Sequence, residues 1–277
     1  MGPSRFKVGD ATVTVFEVGS LQLRLDEVFG PEVRLAEYFD QESMSTPGLF
    51  PNYSMLIESG RAKVVVDPAD YGRLVAPGHF RPPPRYDPPP TLSEQLRTSG
   101  VDPEEVTHVM ITHLHYDHYA GVTGRSGLTF PRAEHIVPAK DWEMPDIAEA
   151  RSRGDRDIAE TLGEVEAAGR LELLDGALRL GGGISVEPFP GESPGHQVVG
   201  VRSKGDSCYC VGDLYHMVAE VEHPELSASW TDAKAILASR MEFAERAAAE
   251  GALVLPAHMR AGRVIRSGTG TSWAYSQ

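Results

Sequence analysis

Four residues able to bind a metal through nitrogen or oxygen stand within six positions: His113, His115, Asp117 and His118, in the run His113-Leu114-His115-Tyr116-Asp117-His118. They follow an apolar stretch, residues 106–111, that reads as a buried strand. Imidazole and carboxylate donors crowded at such a strand end add little packing and are costly to bury without a cation. These donor types suit zinc, manganese and iron, and side chains leaving a strand can be divided between two ions. Three further donors fall just past other apolar stretches: His196 in Ser193-Pro194-Gly195-His196, Asp213 after Gly212, and His258 after Pro256-Ala257. Seven donors are more than one tetrahedral ion uses. Two cations roughly 3.5–4 Å apart lower the pKa of a shared water, so a bridging hydroxide can act as nucleophile without a Ser or Cys. Asp117 is placed either to handle a proton of that water or to serve only as a ligand.

The elements around these donors must bring distant parts of the chain to one rim. Alternation predicts strands at residues 11–18 and 21–25 broken by Gly19-Ser20, and a hairpin of residues 53–58 and 63–67 across Ser59-Gly60-Arg61. Asp67 ends that last strand, where it is equally a turn residue before Pro68 and an acceptor that fixes a ligand histidine. Thr91 and Glu94 have capping-box spacing for a helix over 92–99 closed by Gly100. Helices are expected at 141–151, 156–168 and 233–250, and strands at 171–174, 184–189, 198–202, 207–211 and 253–255. The proline-rich stretch 81–90 is a loop, either a surface crossing or a wall over a substrate. Cys208 and Cys210 lie on one face of their strand and read as packing residues.

Composition sets limits on function. The chain has 277 residues, 41% of them hydrophobic and 24% charged, enough for a substantial core in one domain over 1–277. Asp and Glu number 40 against 26 Lys and Arg, a formal charge of -14 that opposes a phosphate backbone, so nucleic acid is excluded as a partner. No apolar run approaches the ~18 residues of a membrane span, and residues 1–10 lack the pattern of an export signal. The expected setting is cytoplasmic, without membrane association, and the expected partner is a small-molecule substrate, with a homodimer as one allowed assembly.

These residues resemble the metallo-β-lactamase superfamily. Its HxHxDH motif is matched at 113–118, and its later His, Asp and His are matched in order by His196, Asp213 and His258. The resemblance runs from about Asn52-Tyr53-Ser54 and Val66-Asp67 to His258, and it implies an α/β chain folded as a four-layer αββα sandwich. It assigns His113, His115 and His196 to a first metal, Asp117, His118 and His258 to a second, and Asp213 to a bridge. Zinc is the expected ion at both positions, with manganese or iron as alternatives, because redox members with a di-iron centre carry glutamate where this chain has His115. Among single-domain members the chain resembles the N-acyl homoserine lactone lactonases. In those a tyrosine three residues past the bridging aspartate binds the carbonyl oxygen; here His216 stands there and Tyr215 precedes it. The implied activity is hydrolysis of a lactone or carboxylic ester. Thioester, phosphotriester or phosphodiester hydrolysis and an iron-dependent persulfide dioxygenase reaction are the alternatives.

Overall fold

The computed structural model describes residues 2–76, 79–268 and 270–276. Period-two alternation of apolar side chains produces its layers. In Ala62–Val66, Val64 and Val66 turn inward between two sheets, while Val65 turns to the outer face. In Asp206–Gly212, Cys208 and Cys210 turn inward and Tyr209 outward. Both cysteines are free and buried.

The first sheet orders its seven strands as Ser4–Val8, Ala11–Leu23, Gly48–Ser59, Ala62–Val66, His108–Met110, Glu134–Pro138 and Leu171–Leu174. The second orders Leu178–Arg179, Ile184–Pro188, Gln197–Ser203, Asp206–Gly212, Leu253–Pro256, Gly262–Ser267 and Gly270–Tyr275. Helices cover the outer faces. Leu92 and Leu96 of Leu92–Thr98, Trp142, Leu162 and Val165 pack on Phe16, Leu56, Val65 and Val109 of the first sheet. Ile236, Phe243 and Ala247 of Ala233–Glu250 pack on Val198, Tyr209, Val211 and Val254 of the second. The expected αββα sandwich is therefore present.

Parallel pairing places the chemistry. Ala62–Val66, His108–Met110, Glu134–Pro138 and Leu171–Leu174 run parallel, as do Asp206–Gly212 and Leu253–Pro256. Parallel strands end on the same edge, so the residues just past them, Asp67, Thr112, Asp141, Asp213 and His258, collect at one rim.

Several elements differ from the sequence expectation. Ala11–Leu23 is one strand, because Gly19 marks a bulge in its pairing with Gly48–Ser59 rather than a turn. A Cβ on Gly19 would fall 2.1 Å from the Tyr71 ring, so the glycine admits an aromatic neighbour. The stretch 141–151 divides into Ala139–Trp142 and Pro145–Arg153, since Pro145 starts a new helix. The stretch 156–168 divides at Thr161, whose backbone leaves the helical region. The hairpin Gly262–Ser267 with Gly270–Tyr275 was not expected from the sequence. No helix among the described residues is long and apolar enough to cross a membrane.

His135, inside the first sheet, is buried with neither ring nitrogen hydrogen-bonded among the described residues. Burial pulls it down to about 4 from an ordinary 6.5. The unfolded chain thus takes up this proton first as pH falls, and the stability that neutral His135 supplies above pH 6.5 is lost progressively toward pH 4. Thermal unfolding of wild type and His135→Leu, both in chelator, should show the smaller loss of midpoint in the variant over that window. Parallel curves would refute the assignment.

Candidate metal centre

The turn after Ala62–Val66 is held in an unusual conformation. Asp67 has φ of 49°, uncommon for a residue with a side chain, and its backbone oxygen accepts a 2.6 Å hydrogen bond from Ser54 Oγ. Its carboxylate accepts from Thr112 N at 2.8 Å, Thr112 Oγ1 at 2.7 Å and His118 Nδ1 at 2.9 Å. The two readings that the sequence leaves open for Asp67 are thus both true: it is a turn residue, and it orients a rim histidine.

The other rim histidines are anchored through the same atom. His258 Nδ1 lies 2.9 Å from Pro51 O, His196 Nδ1 3.0 Å from Phe189 O, and His113 Nδ1 3.1 Å from Thr112 Oγ1. An imidazole held at Nδ1 presents Nε2 to a ligand. His115 is the exception, with its Nδ1 turned inward, 2.9 Å from His113 Nε2. Asn52 Nδ2 donates to Asp117 Oδ2 at 3.0 Å. Asp213 is central: its Oδ2 lies 3.3 Å from His118 Nε2 and 3.7 Å from His113 Nε2, and its Oδ1 lies 3.2 Å from His258 Nε2. Gly212 brings it there with φ of 50°, where a Cβ would sit 2.4 Å from Thr112 Oγ1.

Two groups of donor atoms result, each with its atoms within 4.8 Å of one another. One is Asp117, His118 and His258; the other is His113, His115, Glu192 and Asp213. His196 stands outside both groups, but its ring lies 5.3 Å from that of His113 and its Nε2 is buried without a hydrogen-bond partner among the described residues, as a ligand to the first position would be. Its Nε2 lies 3.1 Å from where a Cβ on Gly212 would stand, next to Asp213. Glu192 joins the first group, with Oε1 3.3 Å from His115 Nδ1. A signal for it was present: Pro-Gly followed by a donor occurs twice, as Pro190-Gly191-Glu192 and Pro194-Gly195-His196, and the first copy lies nearer the end of Ile184–Pro188.

Tyr215 is also placed away from the site. Its ring lies 6.2 Å from that of Phe243 and its hydroxyl donates to Arg240 O at 3.2 Å. His216 points the other way, with Nε2 3.3 Å from Asp213 Oδ2 and Nδ1 3.3 Å from Glu220 Oε1. Glu220 is held in turn by Arg240 at 2.6 Å, with both side chains fully buried. Asp141, also fully buried, ties two rim loops by accepting from Leu114 N, Ser193 Oγ and Gly195 N at 3.1, 2.7 and 2.6 Å. Neither Asp141 nor the Glu220–Arg240 pair stands in a motif, and only folding reveals them.

The charges settle each other. Burial works against an imidazolium at His258, but Asp213 and Asp117 outweigh it and lift the group to about 9. Burial would raise Asp117, yet His118 and His258 bring it to about 2. Burial, then the neighbouring His118 and His115, hold His113 well below the usual histidine range. Even so, His118 Nε2, Glu192 Oε2, His196 Nε2, Asp213 Oδ1 and His216 Nε2 are buried with no hydrogen-bond partner among the described residues. Each such atom costs about 1–3 kcal/mol, and a cation among them removes that cost. The residues fit a metal.

Beside the site lies a cavity of about 220 Å³. Its walls are apolar, from Leu21, Leu23, Val28, Phe50, Phe80 and Trp230, and its polar floor is His115, Asp117, Asp213, His216 and His258. Phe80 adjoins the loop 81–90, but that loop does not line the cavity.

Residues 47–258 match the Metallo-beta-lactamase superfamily. The chain belongs to that superfamily. The N-acyl homoserine lactonase AttM of Rhizobium johnstonii is 33% identical over 94 residues, 34% of this chain and 33% of that protein. AttM of Azorhizobium caulinodans is 43% identical over 49 residues, 18% of this chain and 17% of that protein. The matches thus span a third or less of these relatives. Among solved structures, the hydrolase AbOPH superposes with a TM-score of 0.80 at 20% identity, covering 100% of this chain and 98% of the other. AidC, described as a dizinc quorum-quenching lactonase in complex with a product, superposes at 0.77 and 19% identity, with the same coverages. At such identities the likeness establishes the fold.

Because Asp67 fixes His118 through Nδ1, Asp67→Ala should weaken metal binding about 10–100-fold, read by competition with a chelator. Unchanged affinity in a folded variant would leave Asp67 as a turn residue alone.

Proposed function

We propose that this chain is a binuclear metal hydrolase that opens a lactone or cleaves a neutral carboxylic ester. One observation carries the reading: two groups of donors meet at Asp213, on the floor of a cavity whose walls are apolar. Asp117, His118 and His258 would hold one ion, His113, His115 and His196 the other with Glu192 beside them, and Asp213 would stand between them. Zinc is the expected ion, with manganese and iron as alternatives. When bound, two divalent ions supply Lewis acidity and a water activated for attack near neutral pH.

The protein's own groups do the rest. Leu21, Leu23, Phe50 and Phe80 receive the apolar part of a substrate and exclude water from the reacting bond. His216, turned to the cavity and braced by Glu220, is positioned to donate a hydrogen bond to the carbonyl oxygen as negative charge develops on it. Asp117, held by Asn52, lies next to His258 and can take a proton and pass it to the leaving oxygen. No Lys or Arg lines the cavity among the described residues, which favours a neutral substrate over a phosphodiester. The similar proteins AttM and AidC, both described as lactonases, support this choice.

Elemental analysis after metal-replete expression should find close to two ions per chain. A screen should show turnover of lactones or simple esters, with little on β-lactams or RNA. Two ions with phosphodiesters as the best substrates would overturn the substrate reading and leave the centre standing. His216→Ala should cut turnover about 10²–10³-fold with both metals kept, as loss of an oxyanion donor does. Tyr215→Phe should leave turnover near wild type, because its hydroxyl serves only Arg240 O. The reverse pattern would exchange their roles.

A further inference from the structure

We propose that the substrate seat continues past His216 and His258 into a second cavity, where Arg260 binds a hydrogen-bond acceptor on an uncharged second arm of the substrate. The proposal rests on the hydrolase reading above and narrows its substrate to open-chain esters extended on both sides of the reacting carbonyl. The second cavity has a volume of about 250 Å³, far above the roughly 10–15 Å³ that admits a single water. Phe50, His216 and His258 line it and the apolar cavity alike, so the two meet at the residues placed to act on the carbonyl. An open-chain ester can fill both at once, whereas a lactone ties the two sides of its carbonyl into one ring.

The two cavities differ in chemistry. No Lys or Arg lines the first, while Arg260 lines the second and no carboxylate does so among the described residues. The chain leading out of the centre sets this cation in place. Arg260 stands two residues past His258, just before the strand Gly262–Ser267, and Gly262 pairs with Tyr275. A Cβ on Gly262 would fall 2.3 Å from the Trp273 ring, so the glycine lets Gly270–Tyr275 lie close. That brings Tyr275 under Arg260, with the guanidinium 5.5 Å from the ring centroid. A guanidinium held over a ring face still has its in-plane N–H donors to offer. The lip of the same cavity is apolar: Leu49 is 64% exposed and Tyr275 56%. With Trp230 of the first cavity, these are three of the six large hydrophobic side chains exposed among the described residues, gathered along one continuous seat. Such clustering marks a ligand surface rather than scattered exposure. The arm is uncharged because Asp117 and Asp213 lie at the junction of the cavities and oppose an anion.

The test is binding of two uncharged amides that resist hydrolysis, N-butylhexanamide and hexanoylglycine N-methylamide. Their second arms have the same chain length, and only the latter carries an acceptor there. Dissociation constants are measured by calorimetry on zinc-loaded protein. Wild type should bind the methylamide about five-fold more tightly, as one hydrogen bond to a charged donor near solvent allows. Arg260 is exposed, so its replacement leaves the fold intact. Arg260→Met should bring the ratio close to one, Arg260→Lys should restore part of it, and Arg266→Met, at an exposed pair with Glu245, should keep it. A wild type that does not distinguish the amides, or binds neither, overturns the proposal, as does a ratio that survives in Arg260→Met. Ester turnover by the wild type would then leave the hydrolase reading standing, and its absence from a metal-loaded protein would remove that reading separately.

Discussion

The arrangement of the rim depends on one buried carboxylate, that of Asp67. Its three hydrogen bonds, to Thr112 N, Thr112 Oγ1 and His118 Nδ1, join the ends of two parallel strands to the loop that follows them. The same Thr112 hydroxyl lies 3.1 Å from His113 Nδ1 and crowds the position beside Gly212, which must therefore be glycine. So one side chain sets His118 directly, and through Thr112 it sets His113 and the path by which Asp213 enters. The left-handed backbone at Asp67 costs of order 1–3 kcal/mol. Charge-assisted hydrogen bonds to its carboxylate are of the size needed to offset that strain.

A second buried network supports the other side. Arg240 and Glu220 are each fully removed from solvent, and Arg240 Nε also donates to Leu214 O at 2.7 Å. A buried pair of this kind adds little net stability over apolar residues of the same shape, whereas losing one partner costs about 3–5 kcal/mol. Its structural effect is to lock Leu214–Glu220 against the helix Ala233–Glu250 and to fix the direction of His216. This accounts for the opposite fates of the neighbours Tyr215 and His216. Successive side chains leave the backbone on different sides, and the apolar cluster around Phe243 takes the tyrosine.

How much of this was legible depends on whether the signal is local. The HxHxDH run, the αββα layers and the helix Ala233–Glu250 follow from period and spacing, which the sequence displays directly. The capping box of Thr91 and Glu94 is equally local and is present as expected. Gly19 misled because a bulge and a turn both ask for glycine, and only the Tyr71 ring, some fifty positions away, distinguishes them. Glu192 was missed for a related reason. Two Pro-Gly-donor copies stand four residues apart, and only folding, with Gly191 packed on Ile236, brings the first of them to His115. Asp141, Glu220 and Arg240 carry no sequence signature because their partners come from separate segments.

The contrast between polar floor and apolar walls also bears on turnover under the proposed reading. A neutral ester enters an apolar cavity with little desolvation cost, past Trp230, which is 45% exposed. Cleavage replaces it with a carboxylate and an alcohol, one charged and one strongly hydrogen-bonding, in the same apolar surroundings. Walls that accept the substrate thus disfavour the product, and the carboxylates Asp117 and Asp213 on the floor, within a chain of formal charge -14, repel the new anion. Only the cations oppose its departure. The carboxylates at the centre moderate that attraction, which eases product release.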